Sequence, residues 1–260
     1  MERALWSAAS GMRAQEMSMD TIANNLANVN TTGYKRSRVN FQDMLYSALT
    51  MPGAQSGDAQ IPTGIQLGHG TRVVSISKYY GQGSLKETGG PLDMAVEGDG
   101  FFEITLPDGT LAYTRDGSFR INASGQVVTA DGYLVNGFDT IDQNTTEITI
   151  APDGSFTTIV DGAPVQKTRI TLTRFLNPEG LRNIGRNLML PTEASGDAQT
   201  GGNPGENGCG TIAHRYLETS NVRVADELVN MITTQRGYEA NSKAIKASDE
   251  MMGEANTLRR

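Results

Sequence analysis

The two ends of this 260-residue chain carry the same apolar repeat, and that repeat restricts the fold more than any other feature. Near the start, Leu5, Ala8, Met12, Gln15, Met19, Ile22, Leu26 and Val29 fall alternately three and four residues apart, which puts them on one stripe of a helix. Near the end, Val224, Leu228, Met231, Gln235, Tyr238, Ser242, Ile245, Asp249 and Met252 repeat the pattern. This spacing marks a coiled-coil seam, whereas a helix resting on a sheet shows a broader face. A stripe this narrow stays wet unless a second helix like it covers it. The sequence therefore predicts a chain that folds back until its terminal helices pair. Polar seam members Gln15, Gln235, Ser242 and Asp249 weaken a simple pair but fix register when several helices pack, which favours a bundle built from many chains. Alone, such helices lose much of their burial and are marginal. The expectation is that both ends are disordered in a monomer and helical in a polymer.

The first helix is expected from about Glu2 to about Asn28, where Asn28-Val29-Asn30-Thr31-Thr32-Gly33 reads as a C-cap and turn. Residues 31–66 read as an extended connector. Within it, residues 46–64, including Tyr46, Pro52, Gly53, Pro62 and Gly64, show no sustained period and read as a long irregular excursion. From Leu67 the period changes to two, and six Asp-Gly dipeptides, at 99, 108, 116, 131, 153 and 161, supply hairpin-turn signals. Residues 67–220 are thus an antiparallel β domain, with Asp197 to Gly210 a second flexible loop. The last helix is expected to begin at Asn221 as its cap, with Asp226 and Glu227 near its positive end and Arg259 and Arg260 at its negative end. The fold class is α+β: residues 1–30 and 221–260 form a discontinuous domain of paired coiled-coil-like helices that flanks the β domain.

Charge divides along the same lines. The formal charge is -7; residues 1–38 sum to +2 and residues 221–260 to zero, which leaves -9 on the middle. Near-neutral ends can pack closely while the acidic middle stays solvated. Lys35, Arg36 and Arg38 are the one basic cluster, read as a solvated loop leaving the helix, so no nucleic-acid footprint is present. Cys209 is a lone cysteine between glycines, which excludes an internal disulfide. No run approaches the length of a membrane span, and the first residues lack the basic start and apolar stretch of a secretory signal. An exported chain of this kind is expected to use a route that reads an uncleaved end.

The constellations that catalysis needs are missing. Neither His69 nor His214 has a Cys, Asp or Glu partner at metal-ligand spacing. Cys209 and His214, five residues apart in a glycine-rich loop, match no nucleophile-base signature. The stretches Gly64 to Gly70 and Gly98 to Gly100 lack the lysine of a phosphate loop and read as turns. No Asp-x-Asp-x-Asp-Gly run supports a calcium loop. The reading is a protein without enzymatic activity and without a cofactor. An acidic pair meeting in space leaves one enzymatic alternative, a secreted peptidoglycan hydrolase.

Trp6-Ser7-Ala8-Ala9-Ser10-Gly11-Met12 and the run Ala23-Asn24-Asn25-Leu26-Ala27-Asn28-Val29-Asn30-Thr31-Thr32-Gly33-Tyr34-Lys35 resemble the signature of the axial proteins of the bacterial flagellum, its rod and hook subunits. Leu217-Glu218-Thr219-Ser220-Asn221-Val222, the run from Glu227 to Glu239, and Met94 to Phe102 are similar to other motifs of that family. Within the family the likeness is to subunits of the distal rod, with 46–64 as a stretch specific to it; proximal rod and hook subunits are the alternatives. The resemblance implies a subunit of a straight, rigid helical tube in the periplasm-spanning rod of the basal body, which carries torque from motor to hook. It implies export through the flagellum's own type III apparatus. The partners implied are further copies of the chain, proximal rod subunits, hook-side subunits, the bushing formed by the P and L rings, and the export apparatus, with no membrane insertion. Leu5, Met12, Met19, Ile22, Leu26, Val29, Val224, Leu228, Met231, Tyr238, Ile245 and Met252 are then the expected assembly interface.

Overall fold

A computed structural model describes residues 2–50, 55–56, 59–60, 63–160, 162–206 and 208–258. Pro52, Gly53, Pro62, Arg259 and Arg260 lie outside the described residues. Contacts divide the chain into two compact units, one of residues 1–27, 37–78 and 223–260, the other of residues 28–36 and 79–222. Terminal helices flank a central, mainly antiparallel β region, an α+β arrangement. Residues 37–78, read from sequence as connector as far as residue 66, group with the helices.

The first unit contains α1 (Glu2–Ala27), β1 (Ser37–Asp43), β2 (Tyr46–Thr50), β3 (Gln55–Ser56), β4 (Ala59–Gln60), β5 (Ile65–Gly68), β6 (Thr71–Lys78) and α2 (Val224–Leu258). Strong helix formers such as Ala, Met, Leu, Gln and Glu fill both helices. Among its described residues the excursion is not irregular: β2 pairs with β5, Tyr46 opposite Gly68 and Ser47 opposite Leu67, and β3 pairs with β4, so these strands form an antiparallel ribbon. Strand β1 pairs with β6 from Ser37 opposite Lys78 to Asp43 opposite Thr71, with a bulge between Asn40 and Phe41. The stretch from Gly64 to Gly70 is accordingly mostly strand rather than turn. Sequence patterning missed the ribbon because neither edge buries a clean alternating face: Tyr46, Leu49, Ile65 and Leu67 are all exposed.

The helix seam also differs from the expected one. Gly11 faces Asn241, so closely that a Cβ on the glycine would lie 2.7 Å from the Asn241 amide nitrogen. Gln15 meets Gly237, Ser18 Oγ lies 3.5 Å from Thr234 Oγ1, and Asn25 Nδ2 donates to Glu227 Oε2 at 3.2 Å. As the partner on α1 advances, the partner on α2 recedes by an equal step, so the helices run antiparallel. These contacts are made by small and polar residues, of which only Gln15 belongs to the expected stripes. Glycines let the two backbones approach, and cross-helix hydrogen bonding satisfies the polar side chains that this approach buries.

In the second unit the largest sheet has seven strands, ordered Arg120–Ile121, Val127–Val128, Leu134–Val135, Phe102–Thr105, Leu111–Thr114, Leu188–Leu190 and Arg182–Gly185. A three-stranded sheet is made by Thr145–Ile150, Phe156–Val160 and Ala163–Gln166. Two-stranded ladders join Met94–Glu97 to Thr211–His214, Leu85–Glu87 to Tyr216–Glu218, and Leu172–Arg174 to Gln199–Gly202. The last of these places a strand in the expected loop of 197–210. Phe102, Phe119, Phe138 and Phe156 form a chain of edge-to-face contacts, with centroids 5.1, 6.2 and 5.7 Å apart, through a core that includes Met94, Val96, Ile148 and Leu172. Asp108-Gly109 is a hairpin turn as expected, Gly109 taking φ of +80° and donating to the Leu106 carbonyl at 2.9 Å. Asp116-Gly117 is not. Gly117 is needed because a Cβ there would strike the Met94 carbonyl.

Candidate assembly site

Two buried cations of the second unit converge on one buried carboxylate. Glu218, at the end of the strand Tyr216–Glu218, is fully buried, as are Lys35 and Arg115. Its Oε1 accepts from Lys35 Nζ at 2.6 Å and from the Gly83 amide at 2.8 Å, while Oε2 lies 3.2 Å from Arg115 Nε. Three further protons go to carbonyls: Lys35 Nζ donates to Gly81 O at 2.9 Å, and the Arg115 guanidinium donates to Gly98 O and Gly100 O. Arg115 also sits 5.7 Å from the centre of the Phe101 ring. Burial lowers the pKa of the Lys35 amine, Arg115 lowers it further, and Glu218 opposes both. Lys35 is thus no part of a solvated loop; Arg38 of the same cluster is exposed. The bends at Gly98 and Gly100, featureless as a motif, serve as the acceptors for Arg115.

Around this triad the chain segments from the two ends are stitched together. The Gly33 amide donates to the Glu218 carbonyl at 2.8 Å, and the Asn221 amide donates to the Tyr34 carbonyl at 3.4 Å. Asn221 does not cap α2, which begins at Val224. Its Oδ1 accepts from the Arg36 amide at 2.7 Å, and its Nδ2 donates to the carbonyls of Tyr79 and Gly81 at 2.8 and 2.9 Å. Three backbone groups that no strand ladder satisfies are met by one side chain. Thr32 contributes its carbonyl, accepting from Asn187 Nδ2 at 3.3 Å. Gly33 holds φ of +67°, and a Cβ there would lie 2.8 Å from the Arg115 carbonyl carbon. Gly33→Ala is therefore expected to cost at least about 1–3 kcal/mol, from strain alone, in urea unfolding of the purified chain.

In the first unit, Asn25 is buried; its Nδ2 donates to Ser37 O at 2.8 Å and its Oδ1 accepts from Ser37 N at 2.9 Å. It therefore stands in for a strand partner at the start of β1. Asn24 and Ala27 are exposed, and Leu26 and Asn28 half-buried. Of the apolar stripes, Ile22 is buried, while Leu5, Met12, Met19, Leu26, Met231, Ile245 and Met252 are half-buried. Val224, Leu228 and Tyr238 are exposed. Val29, in the second unit, is half-buried, and Gly64 is half-buried just ahead of β5. His214, which might have paired with Cys209, instead places Nε2 2.9 Å from the Pro91 carbonyl. No helix of the described residues is long and apolar enough to cross a membrane.

Such an arrangement, with its buried charges used for internal bracing and large apolar side chains left exposed along the helices and the ribbon, is that of a structural protein. Comparison with known proteins identifies the kind. Residues 5–35 match the model of the flagella basal body rod protein family, residues 95–158 the D1 domain of flagellar hook protein FlgE/F/G, and residues 213–258 the C-terminal region of the flagellar basal body rod FlgEFG proteins. The chain is 46% identical to the flagellar basal-body rod protein FlgG of Borreliella burgdorferi over the whole of both chains. It is 47% identical to FlgG of Caulobacter vibrioides over 99% of each, and 38% identical to FlgG of Bacillus subtilis over the whole of both. It belongs to the flagellar basal-body rod protein FlgG family, and is a structural rod subunit rather than an enzyme.

Proposed function

We propose that the chain is the repeating unit of the distal rod, a straight and stiff helical tube that carries torque from the motor to the hook. The observation that carries this reading is the apolar surface of the first unit. Leu45 is 88% exposed, and Tyr46, Leu49, Ile65 and Leu67 beside it on the ribbon are also open, as are Val224, Leu228 and Val229 on α2. A run of this kind on a soluble subunit marks an interaction surface. Copies of the same chain are the partners that cover it, because the helices present their stripe along their length and coiled-coil-like packing between copies buries it. In the tube the terminal helices lie innermost and the β unit outside, facing the P and L rings; proximal rod and hook-side subunits cap the two ends. The chain reaches its place through the flagellum's type III export apparatus.

The ribbon of 46–68 gives the tube its stiffness. Wedged between neighbouring copies, it blocks the sliding of subunits that lets a tube bend. Concentrated protein examined by electron microscopy is expected to form straight fibres, and to form none when either α1 or α2 is removed. Deleting residues 46–68 is expected to leave fibres that are curved or flexible. Straight fibres from that variant remove the stiffening role, and a wild-type chain that stays monomeric at every concentration removes the polymer.

A further inference from the structure

The first unit holds a groove of about 320 Å³ between α1 and the β1–β6 pair, lined by Met17, Asp20, Thr21, Asn24, Ser37 and Ile76. Its walls are apolar where Met17 and Ile76 face it, both about half exposed, and its rim carries the exposed Asp20 carboxylate. The same unit carries a matching projection. Trp6, the chain's one tryptophan, is 73% exposed on α1, and the exposed Arg3 stands one helical turn before it. An indole this open is costly on a monomer, since an aromatic of its size hides about 150–250 Å² when buried.

We propose that Trp6 of one copy seats in this groove on the next copy, its ring between Met17 and Ile76, its indole N–H toward the rim oxygens, and Arg3 paired with Asp20. The inference rests on the polymer reading and names one contact within it. Charge and shape both favour a second copy as occupant: the projection brings a cation where the groove offers a carboxylate, and an aromatic where the groove is apolar. Fourteen residues separate Trp6 from Asp20 along α1, about 21 Å at 1.5 Å per residue, so a copy cannot fill its own groove. A projection and a socket at different places on one chain make a head-to-tail contact, which extends into an open filament when its rotation does not close a ring.

The single tryptophan makes the test direct. Fluorescence of the full chain is recorded before and after assembly, and the emission is expected to shift to the blue as fibres form. Trp6→Ala is expected to raise the critical concentration about tenfold to a hundredfold. Arg3→Glu is expected to impair assembly similarly, and adding Asp20→Arg to restore it. In a Cys209→Ser background, Trp6→Cys combined with Ile76→Cys, assembled above its raised critical concentration, is expected to give a ladder of covalent multimers with a short bismaleimide linker that spans the space of the lost indole, and none from monomer. Fibres whose tryptophan emission stays that of a water-exposed indole, or that give no ladder, overturn this contact and leave the polymer standing. A wild-type chain that forms no fibre overturns both.

Discussion

Glu218→Gln is expected to destabilise the protein by about 3–5 kcal/mol, because it leaves two cations buried with no counter-charge. Lys35 and Arg115 lie within 2.6 and 3.2 Å of this carboxylate, and all three side chains are at most 4% exposed. A buried ion pair is not by itself strong evidence for stability, since taking charges out of water consumes much of what their attraction returns. The asymmetry lies in removing one partner. Against a typical total of about 5–15 kcal/mol, a loss of this size unfolds a large share of the molecules at modest urea. Equilibrium unfolding followed by circular dichroism measures it. The combined variant Lys35→Met, Arg115→Met and Glu218→Leu is expected to regain only part of the loss, because no charge is then left uncompensated while the Gly83 amide and the Gly98 and Gly100 carbonyls lose their partners. A Glu218→Gln protein within about 1 kcal/mol of the wild type would mean that water reaches the carboxylate and that the triad holds nothing.

Replacing the exposed stripe of α2 is expected to abolish assembly while leaving the dilute, unassembled chain as folded as the wild type. Val224→Ser, Leu228→Gln and Tyr238→Gln together remove three apolar side chains that are 43, 44 and 42% exposed. Each such side chain contributes about 1.5–3 kcal/mol on going from fully open to fully buried, and somewhat under half of each is still open, so the interface loses about 2–4 kcal/mol per subunit and the critical concentration rises by about twentyfold to several hundredfold. Light scattering and electron microscopy read the assembly, and circular dichroism of dilute protein reads the helices. Fibres at the wild-type concentration would show that the stripe is not what joins the copies. The contrast with the inner seam is instructive: Gly11, Ser18, Thr234 and Gly237 hold the helices together within one copy through close approach and polar contacts, and this leaves the larger apolar side chains for use between copies.

Several features of the site were legible in the chain because they are local. The C-terminal end of α1 follows from helix formers giving way to Asn28, Thr31, Thr32 and Gly33, and the period-two runs announce strands such as Thr71–Lys78 and Phe102–Thr105. The ribbon at 46–68 was illegible because its strands bury no regular face, so alternation had nothing to report. Asn221 looked like a helix cap, the commonest use of an asparagine ahead of a helix. The carbonyls of Tyr79 and Gly81 and the Arg36 amide, distant in sequence, claimed it instead. Lys35 looked solvated because lysines usually are. Only the arrival of Glu218, 183 residues later, makes its burial affordable.

The order of residues alone determined that both ends are helical, that the middle is antiparallel β, and that apolar stripes run along the helices, because each follows from the periodicity of neighbouring side chains. Tertiary structure decided which faces meet within one copy and which remain for others. It turned small and polar residues inward between the helices, set Lys35, Arg115 and Glu218 against one another, and left the greasier surfaces outward. Pairings of this kind depend on groups far apart in the chain, whose mutual burial and charge balance no local pattern encodes.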